Sequence, residues 1–418
     1  RARNQHDVDT TIFEMHSMPC TLQASCNTRR IDPTLYDWPA PHWAEGCIPW
    51  TGSPSMPLSW SGDMAHFVAR QWREEFQNNY LLHSRPKTEV IGCTSEGEDG
   101  VRLELRSLDS TPVQWVPTFS AVILACGHGA ERTWVQDADS PNRFRGFRFW
   151  EWDPFENLNC GLLSNSDLTD DGRPRVVIHG SGDGAIQDLL RVTLRNPDGV
   201  GPFSLKEFFL DLQSPSSSLR SEDWQSITTK LTAAEEQASR SLIWAPHDGT
   251  GYDRGFDSAV LERLDTTYKE ALNSAFGTSG IPDGVAQVIR RWLRPDLGSI
   301  DLVFRRSFFS QCYPINRFMA HILLRYFENH EPDRVKFLPG TTFTAVTGEG
   351  HECMDQPGDC HGKVHRVTLQ HDGTNWDEHY DVVIIRGGME KLSFGDDSIT
   401  GVGAIRLARQ LLPYHLPY

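Results

Sequence analysis

A chain of 418 residues with 56 acidic against 40 basic side chains carries a formal net charge of -16 at pH 7. That field repels phosphate backbones and anionic lipid, so nucleic acid and membrane surfaces are not expected partners. The length suffices for two packed domains, no run of about 18 apolar residues can span a bilayer, and nine cysteines without a CxxC pair or zinc spacing suit reduced thiols in a cytoplasmic protein.

Taken in chain order, DTTIFEMHS (9–17) is the first segment that reads as a strand, and it ends in Glu14. The basic pair Arg29 and Arg30 opens RRIDPTLYDWPAPHW (29–43), too rich in proline for a helix or a central strand. Such a loop suits the wall of a flat ligand, with Trp38 as the candidate ring, or ordinary aromatic packing. KTEVIGCTS (87–95) and VRLELRS (101–107) alternate like strands between turn residues. FSAVILACGHG (119–129) follows as an almost wholly apolar strand that ends in small residues, Cys126 and Gly127, with the titratable His128 just beyond. PRVVIHGSGDGAIQDLLR (174–191) then runs from strand through glycine loop into helix.

Between residues 196 and about 330, LTAAEEQASRSLIWA, SAVLERLDTTYKEALNSAF, GVAQVIRRWLR and INRFMAHILLRYF show apolar residues at helical spacing. They predict a helical insertion, with Ser221 capping the helix that opens SEDW. The earlier pattern then returns: VKFLPGTTFTAVT (335–347), KVHRVTLQ (363–370) and YDVVIIRGG (380–388), with Arg386 at the end of the last strand. Two copies of one supersecondary unit are implied. HECMDQPGDCHG (351–362) reads as a loop closing a hairpin, with a metal site or disulfide through Cys353 and Cys360 as the lesser alternative.

The loop after RVVIHG carries the clearest chemistry. Gly180, Gly182 and Ala185 fill the three positions of a GxGxxG-type turn, and Gly184 adds a further small residue. Its glycines let the backbone approach a pyrophosphate whose charge sits at a helix N-terminus. Asp183 either sets a carboxylate against that pyrophosphate or caps the helix outwardly. No strand with an acidic ribose ligand or a phosphate-binding arginine is evident about 20 residues on. His128 is a candidate proton donor or acceptor, and Arg386 is placed to face a cofactor or to pair with a nearby acid. GxSxG, HExxH and GxxxxGK[ST] are absent, as is a close cysteine pair, which removes hydrolase, zinc protease, P-loop and disulfide-redox readings.

TTIFE, the pair Arg29 and Arg30, AVILACG (121–127) and VVIHGSGDGA, in this order, resemble flavoproteins with two dinucleotide-binding domains, the glutathione-reductase-like group that includes flavin monooxygenases and amine oxidases. ACG resembles the small-residue turn at which that group crosses from its FAD domain to its second nucleotide domain. The resemblance spans most of residues 9–195 and 335–418. It implies an α/β fold with two Rossmann-like domains and a helical insertion: residues 1–135 plus 387–418, residues 136–195 plus 335–386, and the insertion 196–334.

It also implies FAD, with Glu14 on the adenosine ribose and Arg29 or Arg30 near the pyrophosphate or flavin, and NAD(P)H as the second candidate cofactor. The first glycine motif of that group belongs some 20–30 residues before Glu14 and is not in this sequence, so either a separate chain or a further segment completes the FAD site, or no flavin binds. The functional expectation is an oxidase-like FAD enzyme for a small, amine or aromatic substrate. Its alternatives are an NAD(P)H-dependent monooxygenase or reductase, and a nucleotide-fold sensor without catalysis.

Overall fold

The computed structural model describes residues 10–18, 20–32, 35, 38–39, 63–78, 82–96, 100–109, 113–120, 122, 131, 133–136, 143–150, 168–169, 172–199, 201–217, 219–243, 254–277, 280–310, 312–347 and 364–387. Cys126, Gly127, His128, Cys353, Cys360 and residues 388–418 lie outside that set.

In the N-terminal unit, β1 (Thr10–Phe13) runs parallel to β4 (Leu82–Arg85), with Phe13 opposite Arg85. Between them come α1 (Thr21–Ser25), the antiparallel pair β2 (Arg30–Ile31) and β3 (Asp63–Met64), and α2 (Ala65–Asn78). The chain then folds into antiparallel strands: β5 (Thr88–Ser95) on β6 (Val101–Ser107), with β7 (Gln114–Trp115) and β8 (Thr118–Phe119) also on β6. Phe13, Val90 and Phe119 pack around the buried Cys93, Leu103 and Leu105, so the parallel pair and the antiparallel strands share one small core. A further antiparallel pair, β9 (Trp134–Gln136) and β10 (Arg143–Arg145), follows.

The second unit repeats this plan at larger size. β11 (Arg175–His179), β12 (Ser299–Phe304), β13 (Val335–Pro339) and β17 (Val382–Ile385) form a parallel sheet in the order β13-β12-β11-β17. Numbered from the glycine-loop strand, that is 3-2-1-4, the doubly wound order whose direction reverses between its first and fourth strands. Here that reversal falls between β11 and β17. The antiparallel set β14 (Thr341–Thr347), β15 (His365–His371) and β16 (Thr374–Tyr380) precedes β17. In both units the chain leaves a parallel strand for its antiparallel set near a residue of positive φ, Lys87 at 51° and Gly340 at 70°.

Strand alternation explains the layering. Val176, Ile178, Ile300, Leu302, Val382 and Ile384 face the helices. Val177, Val303, Val383 and Ile385 face Phe343, Val367, Leu369 and Tyr380 of the antiparallel set. Successive side chains of a strand point to opposite faces, so a strand that is apolar at every position must be covered on both. β17 reads VVII and all four of its residues are buried.

The helices are α3 (Asp183–Thr193), α4 (Leu205–Gln213), α5 (Ser221–Ile243), α6 (Arg254–Phe276), α7 (Asp283–Trp292) and, between β12 and β13, α8 (Pro314–His330). β12 corrects the expected insertion 196–334: residues 299–304 belong to the middle of the parallel sheet, and α8 is the crossover from β12 to β13. α5 also starts differently from the expectation. Ser221 is its first residue rather than its cap, and Asp223 accepts a hydrogen bond from the Arg220 N–H at 3.3 Å, while the Arg220 carbonyl takes the first helical bond, from Trp224.

One buried polar link joins the two layers of the second unit. Tyr380 Oη donates to Asp301 Oδ2 at 2.6 Å, and Arg175 lies 3.8 Å from the same carboxylate. Burial raises the Asp301 pKa, and the tyrosine hydroxyl and Arg175 oppose the rise. Tyr380→Phe leaves that buried acceptor short of its donor, and a loss of about 1–3 kcal/mol in urea denaturation is expected. An unchanged midpoint would show that water replaces the hydroxyl.

Candidate functional site

The glycine loop sits at the carboxyl end of β11, beside the reversal point of the sheet. Gly180 has φ of 140°, a conformation that disfavours a side chain, and a Cβ there would lie 2.4 Å from the Arg386 carbonyl oxygen. Its N–H donates to Val303 O at 2.9 Å, so the turn is stitched to both neighbouring strands. Gly182 is the N-cap of α3 in extended conformation, and no side chain caps the helix. The first turn of α3 therefore presents backbone N–H groups at the sheet's carboxyl edge, the arrangement that binds phosphate. Gly184 lies within ordinary contact of Phe149 and Arg386, and Ala185 is fully buried behind it.

Asp183 does not cap its own helix, and its carboxylate is bonded away from the first turn of α3. Oδ1 accepts from the Tyr313 N–H at 3.0 Å and from Asn316 Nδ2 at 2.6 Å, both at the start of α8, and Oδ2 accepts from Gln187 Nε2 at 2.7 Å. Burial raises its pKa, and these three donors pull against the rise. The charge thus sits between two helix N-termini.

Sequence reading missed the strand that borders this loop. β12 ends in Phe304 and is followed by Arg305 and Arg306. In a doubly wound sheet the end of the second strand borders the adenosine ribose, and an arginine there accommodates a 2′-phosphate. The signal was present as the apolar run SIDLVF closed by RR, but it stands more than 100 residues after the glycine loop because α3 to α7 intervene.

Arg29 and Arg386 meet elsewhere, in a buried cluster on α3. Asp188, fully buried, lies 2.7 Å from Arg29 Nη2, 2.7 Å from Arg386 Nε and 3.6 Å from Arg191 Nη1. Burial pushes the Asp188 carboxyl up, but the three guanidiniums outweigh it and hold the pKa below the ordinary value. Arg386 Nη1 also donates to Phe147 O at 2.7 Å and lies 3.3 Å from Glu131 Oε1. The Arg29 guanidinium stacks 3.6 Å over the Phe149 ring. The expectations of a catalytic Arg386 and a cofactor-facing Arg29 are corrected accordingly: both guanidiniums brace the N-terminal unit against the second sheet.

Trp38 is corrected too. It is 8% exposed and packs against Phe209 at 5.6 Å and Phe318 at 4.7 Å between ring centroids, in the helical core. Arg30 lies in β2 and lines, with Asp32, Gln187 and Arg191, a cavity of about 40 Å³, room for a few waters and too small for a coenzyme ring. Glu14 follows β1 at its carboxyl end, half-buried, and its Oε1 accepts the His16 N–H at 2.9 Å. The described residues thus bring Gly180, Gly182, Asp183 and Gly184 together, place Arg29 and Arg386 one turn further along α3, and leave Glu14 in a different sheet.

No family model matches the chain, and no curated protein matches it. Among solved structures it is similar to the bacillithiol disulfide reductase of Bacillus cereus at 8% identity and a TM-score of 0.38, over 91% of this chain and 71% of that one. The FAD-bound cadaverine monooxygenase of desferrioxamine biosynthesis from Erwinia amylovora gives 10% identity and 0.39, over 95% and 75%. The ornithine N-hydroxylase of Kutzneria sp. 744 gives 10% and 0.33, over 90% and 74%.

Proposed function

We propose that the chain is an FAD-dependent oxidoreductase acting on a small molecule, with the 180–184 loop taking the diphosphate of NADP(H). The observation that carries the nucleotide assignment is the uncapped N-terminus of α3 behind Gly180 and Gly182, with Arg305 and Arg306 at the end of the adjacent strand. Gly180 fits the close turn, the first-turn N–H groups of α3 hold the diphosphate, and the two arginines take the 2′-phosphate. When bound, the nicotinamide supplies hydride. Residues 305–310 and Phe149 flank the same edge.

For FAD the fit is narrower. Glu14 stands where a ribose carboxylate belongs, whereas Arg29 and Trp38 are committed to the ionic cluster and the helical core. The oxidase-like branch, in which substrate reduces the cofactor directly, has one observation in its favour: Arg386 and Phe149 crowd the glycine loop, each 3.4 Å from where a Cβ at Gly184 would stand. The turned-away Asp183 favours the nicotinamide branch.

Titration of the purified protein with NADPH and NADH, read by tryptophan fluorescence and by the shift in Tm, tests the assignment. Saturable NADPH binding is expected. Arg305→Ala with Arg306→Ala should weaken NADPH by roughly 10–100-fold, the loss of charge-assisted bonds to phosphate, and leave NADH within twofold. Equal weakening of both nucleotides, or no binding of either, overturns the reading.

A further inference from the structure

The helical segment holds a buried charged cluster that the proposed function does not use. Asp265 on α6 and Arg317 on α8 are 2% and 1% exposed, and their side chains meet at 2.9 Å, Asp265 Oδ1 to Arg317 Nη1. His321 Nε2 lies 2.9 Å from the same oxygen, and Lys269 Nζ lies 3.6 Å from Asp265 Oδ2. Arg317 stands 5.7 Å over the Tyr268 ring, and Tyr268 Oη donates to Glu235 on α5 at 2.5 Å.

A buried ion pair is costly to desolvate and is weak evidence for stability by itself. What this one touches is more telling. Arg317 Nη1 donates to Phe309 O at 3.2 Å and Nη2 to Ser310 O at 2.8 Å, so the guanidinium fork grips two consecutive carbonyls of the segment that joins β12 to α8. Ser310 in turn donates its N–H to Ser181 O at 3.0 Å and pairs its hydroxyl with Ser181 Oγ at 3.2 Å. Three residues on, the Tyr313 N–H is held by Asp183. The ring of Phe309 packs on Phe304 at 5.5 Å and on His321 at 5.1 Å, closing the segment against the sheet.

We propose that Arg317 is a positioning residue for the nucleotide. Held by Asp265, whose Oδ1 also meets His321, it fixes residues 305–310, and through Ser310 and Ser181 it fixes the glycine loop. α6 thereby sets the distance between the diphosphate cradle and the Arg305–Arg306 pair, although it touches neither. The inference rests on the dinucleotide reading of residues 180–184. A lysine ammonium in its place is a point charge on a flexible stem and lacks the rigid planar fork that spans the two carbonyls and Asp265 together.

The test is Arg317→Lys, which keeps a cation beside Asp265. NADPH affinity is measured well below the thermal transition, together with hydrogen exchange across the chain. The expected result is a Kd raised at least tenfold, with faster exchange confined to residues 305–313 and the glycine loop. A purely structural role would lower Tm without that local signature, and a folded variant whose Kd stays within twofold overturns the inference. Should Arg317→Lys fail to fold, Ser310→Ala carries the test: a Kd raised about threefold supports the inference, and an unchanged Kd overturns it. Failure of the unmutated protein to bind NADPH removes the nucleotide reading and the inference with it, whereas unchanged affinity in a folded variant removes the inference alone.

Discussion

Asp188→Ala is expected to cost about 3–5 kcal/mol of folding stability, the range for removing one partner of a buried ion pair. The three guanidiniums of Arg29, Arg191 and Arg386 would remain facing one another in a site from which Asp188 is fully excluded from solvent. Glu131, at 3.3 Å from Arg386 alone, cannot neutralise them. The native carboxyl is held below its ordinary pKa, because Arg29, Arg386 and Arg191 outweigh the effect of burial. A group with a lowered folded pKa stabilises fully above its unfolded value, near 3.9 for aspartate, and that contribution is lost as pH falls through the folded value. The difference between the native protein and Asp188→Ala should therefore persist from neutral pH down to about pH 4 and narrow only below it. Denaturant unfolding at pH 7 and pH 3 measures this. Removing the exposed Asp333, 3.8 Å from Lys336, is the control, expected to leave the midpoint unmoved. A change below about 1 kcal/mol for Asp188→Ala would mean that water enters and screens the arginines.

Gly180→Ala is the second large effect, and it separates fold from ligand. The added Cβ would lie 2.4 Å from the Arg386 carbonyl, which is backbone and cannot swing aside, at a φ of 140° that itself costs roughly 1–3 kcal/mol. β11 would be driven from β17 at the point where the sheet reverses. The variant should lose more than about 3 kcal/mol, or accumulate as aggregate on expression. Gly182→Ala is different, because φ of -88° and ψ of -176° admit any residue. It should fold with a Tm within a few degrees of the native protein and lose NADPH affinity, since the second glycine of such a turn serves the approach of the diphosphate. Unaltered binding by a folded Gly182→Ala would move the nucleotide elsewhere.

Much of the architecture is legible in the amino-acid order. The alternating stretches at 87–107 and 335–380 correspond to antiparallel strands in the two units, and the wholly apolar VVII of β17 is covered on both faces. The strand–loop–helix at 174–191 is local, so its glycines and its helix follow from neighbouring residues alone. β12 escaped because six residues among long amphipathic stretches carry too little periodicity to stand out.

The roles of single side chains were less legible for a different reason. Arg29, Trp38 and Arg386 look like ligand groups when judged by residue type and loop position. Their partners are Asp188, Phe318 and Glu131, brought in from distant parts of the chain. A guanidinium has the same appearance in a sequence whether it waits for a phosphate or is already spent on a carboxylate. Asp183 was misjudged in the same way, since its destination, the start of α8, is 130 residues further on.

The placement of β12 also bears on how the protein is made. Val176 pairs with Ile300 on one side and with Val382 on the other, so during synthesis β11 leaves the ribosome long before either neighbour exists. An apolar strand without partners is prone to mispairing, and such high contact order slows folding. The helices α3 to α7 emerge in that interval and give Val176 and Ile178 an apolar surface to rest on until the sheet can close. Stopped-flow refolding should accordingly recover helical circular dichroism before the β11–β17 edge gains exchange protection, and simultaneous recovery of the two would refute this order of assembly.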